Sequence, residues 1–157
     1  MARGICYGRS DLGVAASFEE ELVRVQAGLP RFDRIVSSPL RRCQVLAARL
    51  AEAHGMGVTT REDITEMDFG AWEMQPWDGI PRDDLDLWAA DFMGARPHGG
   101  ECVQMLRDRV ARALDTLVPG TLVVTHSGVI RAAAAITGHE AGWDIKISFG
   151  GWVQISR

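Results

Sequence analysis

The chain has 157 residues, 46% hydrophobic and 24% charged, with a formal net charge of −4 at pH 7, which predicts a single soluble domain over residues 1–157. The acidic balance argues against a nucleic-acid partner, and no apolar run approaches the about 18 residues of a membrane span. Three cysteines without a Cys-x-x-Cys pair, and no apolar leader, predict a cytoplasmic protein with no metal, cofactor or disulfide framework.

The first half of the chain predicts two helices and two short strands after a glycine-punctuated start. Ser17, with Glu20 three residues later, is a capping-box pattern that predicts the start of the first helix. Ser38 followed by Pro39 predicts the cap and first position of the second helix. The predicted elements are a loop over 1–16, a helix between Ser17 and Pro30, a strand over 34–37, a helix from Ser38 to Gly55 and a strand over 58–60.

The second half predicts an irregular segment followed by helices and strands. Residues 61–82 are irregular and rich in Glu, Asp, Trp and Gly, and a long excursion of this kind is often functional. Ile145 to Ile155 predicts a final hairpin or bulged strand around Gly150-Gly151. The other predicted elements are helices over 83–93, 101–118 and 129–137 and a strand over 121–126. This order predicts the α/β class, as a three-layer α/β/α sandwich around a mainly parallel sheet.

The strand that ends in His126-Ser127-Gly128 carries the strongest functional signal. A helix is predicted directly after this apolar strand, so an imidazole and backbone N–H groups lie at the carboxyl end of a strand. Open α/β sheets bind anions at such positions. We therefore expect His126, as an imidazolium, and the N–H groups of Ser127 and Gly128 to hold a phosphoryl group.

Arginine side chains supply the second half of the predicted anion site. Arg42 lies in the first turn of a predicted helix, where the helix dipole disfavours a cation, so we expect it to have an anionic partner. Arg41 points about 100° away from it and is expected to be solvated. Arg9, in a polar loop, is a further candidate to reach the anion. The predicted ligand is a small phosphorylated molecule.

The irregular segment contains three carboxyl groups among which spacing alone does not choose. Glu66 lies near Phe69 and Trp72, and a carboxyl beside apolar side chains can have a raised pKa and act as a general acid. Glu73 and Asp68 are alternatives, and all three could be ordinary loop carboxylates.

Four segments, in order, resemble the histidine phosphatase superfamily, the phosphoglycerate-mutase-like fold. By that resemblance Arg42 binds phosphate, Glu66 is the general acid and His126 is the second histidine of the pocket. A fifth segment, from Gly4 to Leu12, resembles the G-x-C-Y-G-x-(S/T)-D pattern of α-ribazole phosphatases, which act late in cobalamin biosynthesis. The four segments are Ser37-Ser-Pro-Leu-Arg-Arg-Cys43, Ile64-Thr-Glu-Met-Asp-Phe-Gly-Ala-Trp-Glu73, Gly99-Gly-Glu101 and Val123-Val-Thr-His-Ser-Gly-Val-Ile-Arg131.

The chain departs from this family at the nucleophile. In the family, the attacking histidine belongs to an Arg-His motif that ends the first strand, and it forms a phosphohistidine. Met1-Ala-Arg3-Gly4 contains no histidine, and the usual first strand is absent as well, so we expect a domain that is incomplete at its N-terminus. We hypothesise that the natural reading frame starts upstream or that the chain is truncated. We expect this polypeptide to have little phosphatase activity and to be unstable or self-associated through unpaired strand edges. Met74 and Leu46 replace a glycine and a threonine and are expected to be small packing changes.

The predicted function is a phosphomonoesterase, with α-ribazole 5′-phosphate as the candidate substrate and activity impaired by the missing histidine. The alternatives are a phosphoglycerate mutase, which is an isomerase, and a pseudophosphatase that binds phosphorylated ligands without turnover. Residues 74–98 could set specificity through an aromatic wall, although core packing is an equally good use of these rings. The side chains concerned are Trp77, Trp88, Phe92 and His98. Homo-oligomers are possible and are left open.

Overall fold

A three-stranded parallel sheet forms the centre of the fold in the computed structural model, which describes residues 4–156. The strands are β1 (Arg34–Ser37), β2 (Val58–Thr60) and β3 (Thr121–Val124), in the order β2-β1-β3. Val36 of β1 lies opposite Thr59 on one side and Val123 on the other. Within residues 4–156, β3 has a strand neighbour on one side only.

Five α-helices surround this sheet in the described part of the chain. They are α1 (Phe18–Gly28), α2 (Arg41–His54), α3 (Arg82–Ala90), α4 (Val103–Thr116) and α5 (Ser127–Ile136). Single 3-10 turns lie at Glu62–Ile64, Gly70–Trp72, Trp77–Gly79 and Gly142–Asp144. None of the helices described is long and apolar enough to cross a membrane.

The two faces of the sheet bury separate hydrophobic clusters. Successive strand residues point to opposite faces, so Val36 packs with α4 and α5 while its neighbour Ile35 packs with α1 and α2. Val123 and Val124 divide in the same way. Helices therefore cover both faces, and the predicted three-layer α/β/α architecture is confirmed.

Two helix starts differ from their predictions because the serines bond elsewhere. The hydroxyl of Ser17 donates to Glu21 Oε1 instead of forming the predicted capping box with Glu20. The second helix begins at Arg41, and Ser38 stays outside it with its hydroxyl 2.7 Å from His126. The loop predicted for 1–16 is confirmed from residue 4 onward, and residues 1–3 lie outside the described range.

The predicted final strand between Ile145 and Ile155 is wrong. This segment has no regular secondary structure, and the N–H of Gly151 turns back to the carbonyl of Ser148. A strand needs a neighbour for its backbone groups, and no described residue pairs with this segment as a strand. Side-chain packing holds it instead, with Ile155 against the α4–α5 cluster, while Phe149 remains 57% exposed.

The irregular segment after β2 is fastened to the beginning of the described chain. Ile5 forms an antiparallel bridge with Pro76, and backbone bonds join Cys6 to Met74 and Gln75. Met74 adopts φ 65°, the left-handed region that favours glycine. The expectation that Met74 is only a packing change is therefore wrong, because the methionine occupies a backbone conformation that favours glycine.

Candidate active site

The end of β3 and the first turn of α2 bring His126 and Arg42 into contact. Arg42 Nε donates to His126 Nδ1 at 3.2 Å, although the two residues are 84 positions apart in the chain. Parallel neighbours β1 and β3 end at the same edge of the sheet, and α2 starts just beyond β1. Both side chains are buried, at 9% and 7% exposure. Both residues were expected at one anion site, and the structure places them together.

His126 is a neutral imidazole in this structure. Since Nδ1 accepts from Arg42, the ring proton lies on Nε2, which donates to Ser38 Oγ at 2.7 Å. Burial and the charges of Arg42 and Arg109 lower the pKa of His126 to about 3. Both observations favour the neutral ring over the imidazolium expected from the sequence. Cys43 Sγ also contacts this ring, at 3.5 Å from Nε2, and burial raises the pKa of its thiol to about 12.

The guanidinium of Arg42 is oriented by the loop Gly8–Ser10. Its NH1 donates to the carbonyl of Ser10 at 2.8 Å and its NH2 to that of Gly8 at 2.6 Å. The group also lies over the ring of Tyr7, 5.4 Å from the centroid. Arg41, by contrast, is exposed, as predicted. The plane of the Arg42 fork is thus fixed by residues far away in the sequence.

Glu66 is a buried carboxyl beside the first turn of α5. Its Oε2 accepts from the N–H of Gly128 at 3.0 Å and its Oε1 from that of Met67 at 2.9 Å. Burial raises the pKa of Glu66, and these hydrogen bonds and the charge of Arg42 only partly oppose the increase. A side chain at Gly128 would force the Glu66 carboxyl to move, because a Cβ there would lie 2.3 Å from Glu66 Oε1.

Arg109 stabilises the turn that contains Glu66 by hydrogen bonds to its backbone carbonyls, and the sequence did not predict this role. Its NH1 donates to the carbonyls of Asp63 and Thr65, at 3.0 and 2.8 Å. Its other nitrogens form a largely buried bidentate pair with Glu101. Glu101 thus anchors Arg109, and it lies two residues before α4 rather than in the first turn that we predicted for it. An arginine inside an amphipathic helix gave no signal of this role.

Glu73 has the opposite environment to Glu66. Its carboxylate accepts from the N–H groups of Gly8, Arg9, Ser10 and Phe69, at 3.0–3.1 Å, and from the hydroxyl of Ser10. Burial opposes ionisation, but the hydrogen bonds outweigh it and lower the pKa of Glu73. A carboxylate with this many donors is a poor proton donor, so the geometry favours Glu66 as the acid.

The remaining predicted anion ligands are exposed or already bonded within the protein. Arg9 is exposed and uses its backbone N–H for Glu73. Ser127 is exposed at the first position of α5, and the N–H of Gly128 is engaged by Glu66 rather than open. Asp68 accepts from the N–H of Gly70 and so stabilises a turn.

The aromatic residues of 74–98 pack mainly with one another. Trp72 contacts Trp77, Trp88 and His98, with ring centroids 6.3, 5.8 and 4.8 Å away. His98 is 2% exposed, whereas Phe92 is 41% exposed at the edge of the group. Core packing is therefore the observed use of Trp88 and His98.

The three other histidines lie at separate places. His54 ends α2 and packs on the ring of Phe32, with centroids 4.7 Å apart. His98 belongs to the aromatic group, and His139 accepts from the N–H of Ala141 after α5. Among residues 4–156, His126 is thus the histidine that contacts Arg42.

Comparisons with known proteins agree with the geometry. The model of the histidine phosphatase superfamily (branch 1) matches residues 2–156. The adenosylcobalamin/α-ribazole phosphatases of Salmonella typhimurium and Escherichia coli are 29% and 30% identical over 135 residues, which are 79% of this chain. The matched region covers 67% and 66% of those two proteins, so the chain spans about two thirds of their length.

Solved structures show the same fold. A candidate α-ribazole-5′-P phosphatase from Escherichia coli superimposes with a TM-score of 0.78 at 26% identity, covering 92% of this chain and 78% of that one. A phosphoglycerate mutase from Thermus thermophilus gives 0.70 at 30% identity, with coverages of 86% and 75%. The predicted phosphoglycerate-mutase-like fold is confirmed.

Proposed function

The chain belongs to the histidine phosphatase superfamily (branch 1), and from that premise we propose that its site serves phosphomonoester hydrolysis, with α-ribazole 5′-phosphate as substrate. The observation that carries the proposal is the buried contact between Arg42 and His126, beside the carboxyl of Glu66. The substrate follows from the α-ribazole phosphatases that the chain resembles.

Each residue has a proposed role that its environment supports. The guanidinium of Arg42 would bind the phosphoryl oxygens, and His126 would join it as a neutral donor by turning its Nε2–H from the Ser38 hydroxyl to the phosphoryl group. Glu66, whose raised pKa favours the protonated form, would give its proton to the leaving oxygen.

We further propose that this 157-residue polypeptide turns over slowly. Covalent phosphoryl transfer needs an attacking group, and the four histidines of the sequence are His54, His98, His126 and His139. His54, His98 and His139 lie in other parts of the structure. His126 is hydrogen-bonded to Arg42 and Ser38. The site would then bind phosphate better than it cleaves esters, which keeps the non-catalytic alternative open.

Turnover assays on the purified chain test this proposal directly. With p-nitrophenyl phosphate and α-ribazole 5′-phosphate, we expect slow hydrolysis at most; robust turnover of either ester would contradict the impairment. Conversion of 3-phosphoglycerate to its isomer would favour the mutase alternative instead.

Phosphate binding tests the site separately from turnover. Arg42→Met should weaken the binding of inorganic phosphate, measured by calorimetry, by about tenfold to a hundredfold, the effect of losing one or two charge-assisted hydrogen bonds. Arg41→Met, which removes the same charge from the exposed neighbour, should leave binding almost unchanged. Equal losses in both variants would show that the anion is not held at the Arg42 site.

A further inference from the structure

Residues Gly8–Ser10 lie between two side chains of opposite charge. The carboxylate of Glu73 accepts hydrogen bonds from the N–H groups of this loop, and the guanidinium of Arg42 donates to two of its carbonyls. We propose that Glu73 is a positioning residue for Arg42, which it orients through the peptide groups of the loop. The inference rests on the proposed function, in which Arg42 binds the phosphoryl group.

The backbone N–H groups of the loop converge on one carboxylate and form an anion-binding nest. Three consecutive N–H groups, of Gly8, Arg9 and Ser10, point to the two oxygens of Glu73. The Ser10 hydroxyl adds a further donor from the same loop. Successive N–H groups that converge in this way form a concave site for a negative charge. Glu73 fills it, so its charge fixes the conformation of the loop.

The acceptor side of the loop fixes the guanidinium. With the N–H groups held by Glu73, the carbonyls of Gly8 and Ser10 are presented to NH2 and NH1 of Arg42. These bonds set the plane of the fork while Nε remains on His126. A free arginine side chain loses rotamer entropy when it is immobilised, and a fork that is already oriented loses less when it binds an oxyanion.

The loop packs closely against the segment that contains Glu73. A Cβ on Gly8 would lie 1.7 Å from the carbonyl oxygen of Met67, so the loop lies directly on the segment that carries Glu66 and Glu73. Next to Glu73, the N–H of Met74 donates to the carbonyl of Cys6 at 2.8 Å. A change in the carboxylate is thus transmitted to the loop rather than absorbed by movement elsewhere.

The experiment compares variants of residue 73 by phosphate affinity and by the NMR signal of the Arg42 Nε–H. Glu73→Gln keeps the size of the side chain but places an amide NH2 against N–H donors, and we expect about tenfold weaker phosphate binding, faster amide exchange at residues 8–10 and a shifted Arg42 signal. Glu73→Asp keeps the charge and should restore part of the affinity. Glu140→Gln, the same change at an exposed turn, is the matched control and should change nothing.

The outcomes separate this inference from the proposed function. Wild-type affinity and an unchanged Arg42 signal in Glu73→Gln, with faster exchange at residues 8–10, would overturn the positioning role. If the wild-type chain binds no phosphate, the proposed function fails, and the Arg42 Nε–H signal alone decides the inference. Should Glu73→Gln not fold, Ser10→Ala removes one donor to the same carboxylate, and an unshifted Arg42 signal there would also overturn the role.

Discussion

The environments of Glu66 and Glu73 differ sharply although both belong to the same irregular segment. Glu66 is almost fully buried and receives two backbone N–H groups, and its pKa is raised. Glu73 is half-buried and receives four backbone N–H groups and a hydroxyl, and its pKa is lowered. The balance of desolvation and hydrogen-bond donors thus raises the pKa of one carboxyl and lowers that of the other, which supports the proton-transfer role proposed for Glu66.

The largest expected effect comes from crowding Glu66. Gly128→Ala would place a Cβ 2.3 Å from Glu66 Oε1, so the carboxyl must move and lose the N–H of residue 128. We expect destabilisation of about 3 kcal/mol, measured by urea unfolding, as for other overpacked buried sites. Gly57→Ala, at a glycine with open space around its Cβ, is the control. Equal effects of the two substitutions would show that Glu66 is not confined as described.

Removing the charge of Glu73 should destabilise the chain in a pH-dependent way. The folded-state pKa lies below the ordinary value of 4.5, so the carboxylate contributes stability above that pH and loses it as the pH falls through the lowered pKa. Glu73→Gln should therefore cost about 2 kcal/mol at pH 7 and progressively less as the pH falls from 4.5 through the lowered pKa. A loss that stays the same size over this acid range would contradict an ionic role.

Glu66→Gln should show the opposite dependence on pH. Because burial raises the folded-state pKa of Glu66 above 4.5, the wild-type chain loses stability as the pH rises from the unfolded-state value through the folded-state value. The variant does not titrate there, so its stability relative to wild type should increase over that window, by about 1.4 kcal/mol for each unit of pKa shift. A relative stability that falls with rising pH would overturn the contrast between the two carboxyls.

The smallest expected effect concerns the residue after Glu73. Met74 has φ 65°, a conformation that costs a side-chain-bearing residue about 1–2 kcal/mol, while glycine loses part of that gain through its greater freedom when unfolded. Met74→Gly should thus stabilise the chain by about 1 kcal/mol in thermal or urea unfolding. Met74→Ala, which keeps a Cβ, should not. Destabilisation by glycine would mean that the half-exposed Met74 side chain matters more than its backbone.

The sequence predicted the elements whose pattern is local. Strands 34–37 and 58–60 and the end of α2 at Gly55 are confirmed, because strand patterns and a helix-ending glycine depend on neighbouring residues. His126 and Arg42 were recognised because each ends or begins a regular element. The strand expected at 145–155 failed because a strand depends on a partner that no local pattern specifies.

The parts of the site that escaped prediction depend on contacts between distant residues. Spacing could not rank Glu66 above Glu73, since the donors that distinguish them come from residues 8–10 and from Gly128. Arg109 resembled any polar residue of an amphipathic helix until its bonds to the carbonyls of Asp63 and Thr65 were known. The neutral state of His126 likewise depends on Arg42, 84 residues away.

The wide separation of these partners along the chain has a kinetic consequence. Gly8 meets Glu73 across 65 positions, and Arg42 meets His126 across 84 positions, at the end of β3 where it pairs with β1. Contacts between residues far apart in the chain form slowly compared with helices, because the entropy of closing the long loop is lost before the contact stabilises the chain. During refolding, affinity for phosphate should accordingly emerge in the last phase, after the helical circular dichroism signal has already recovered.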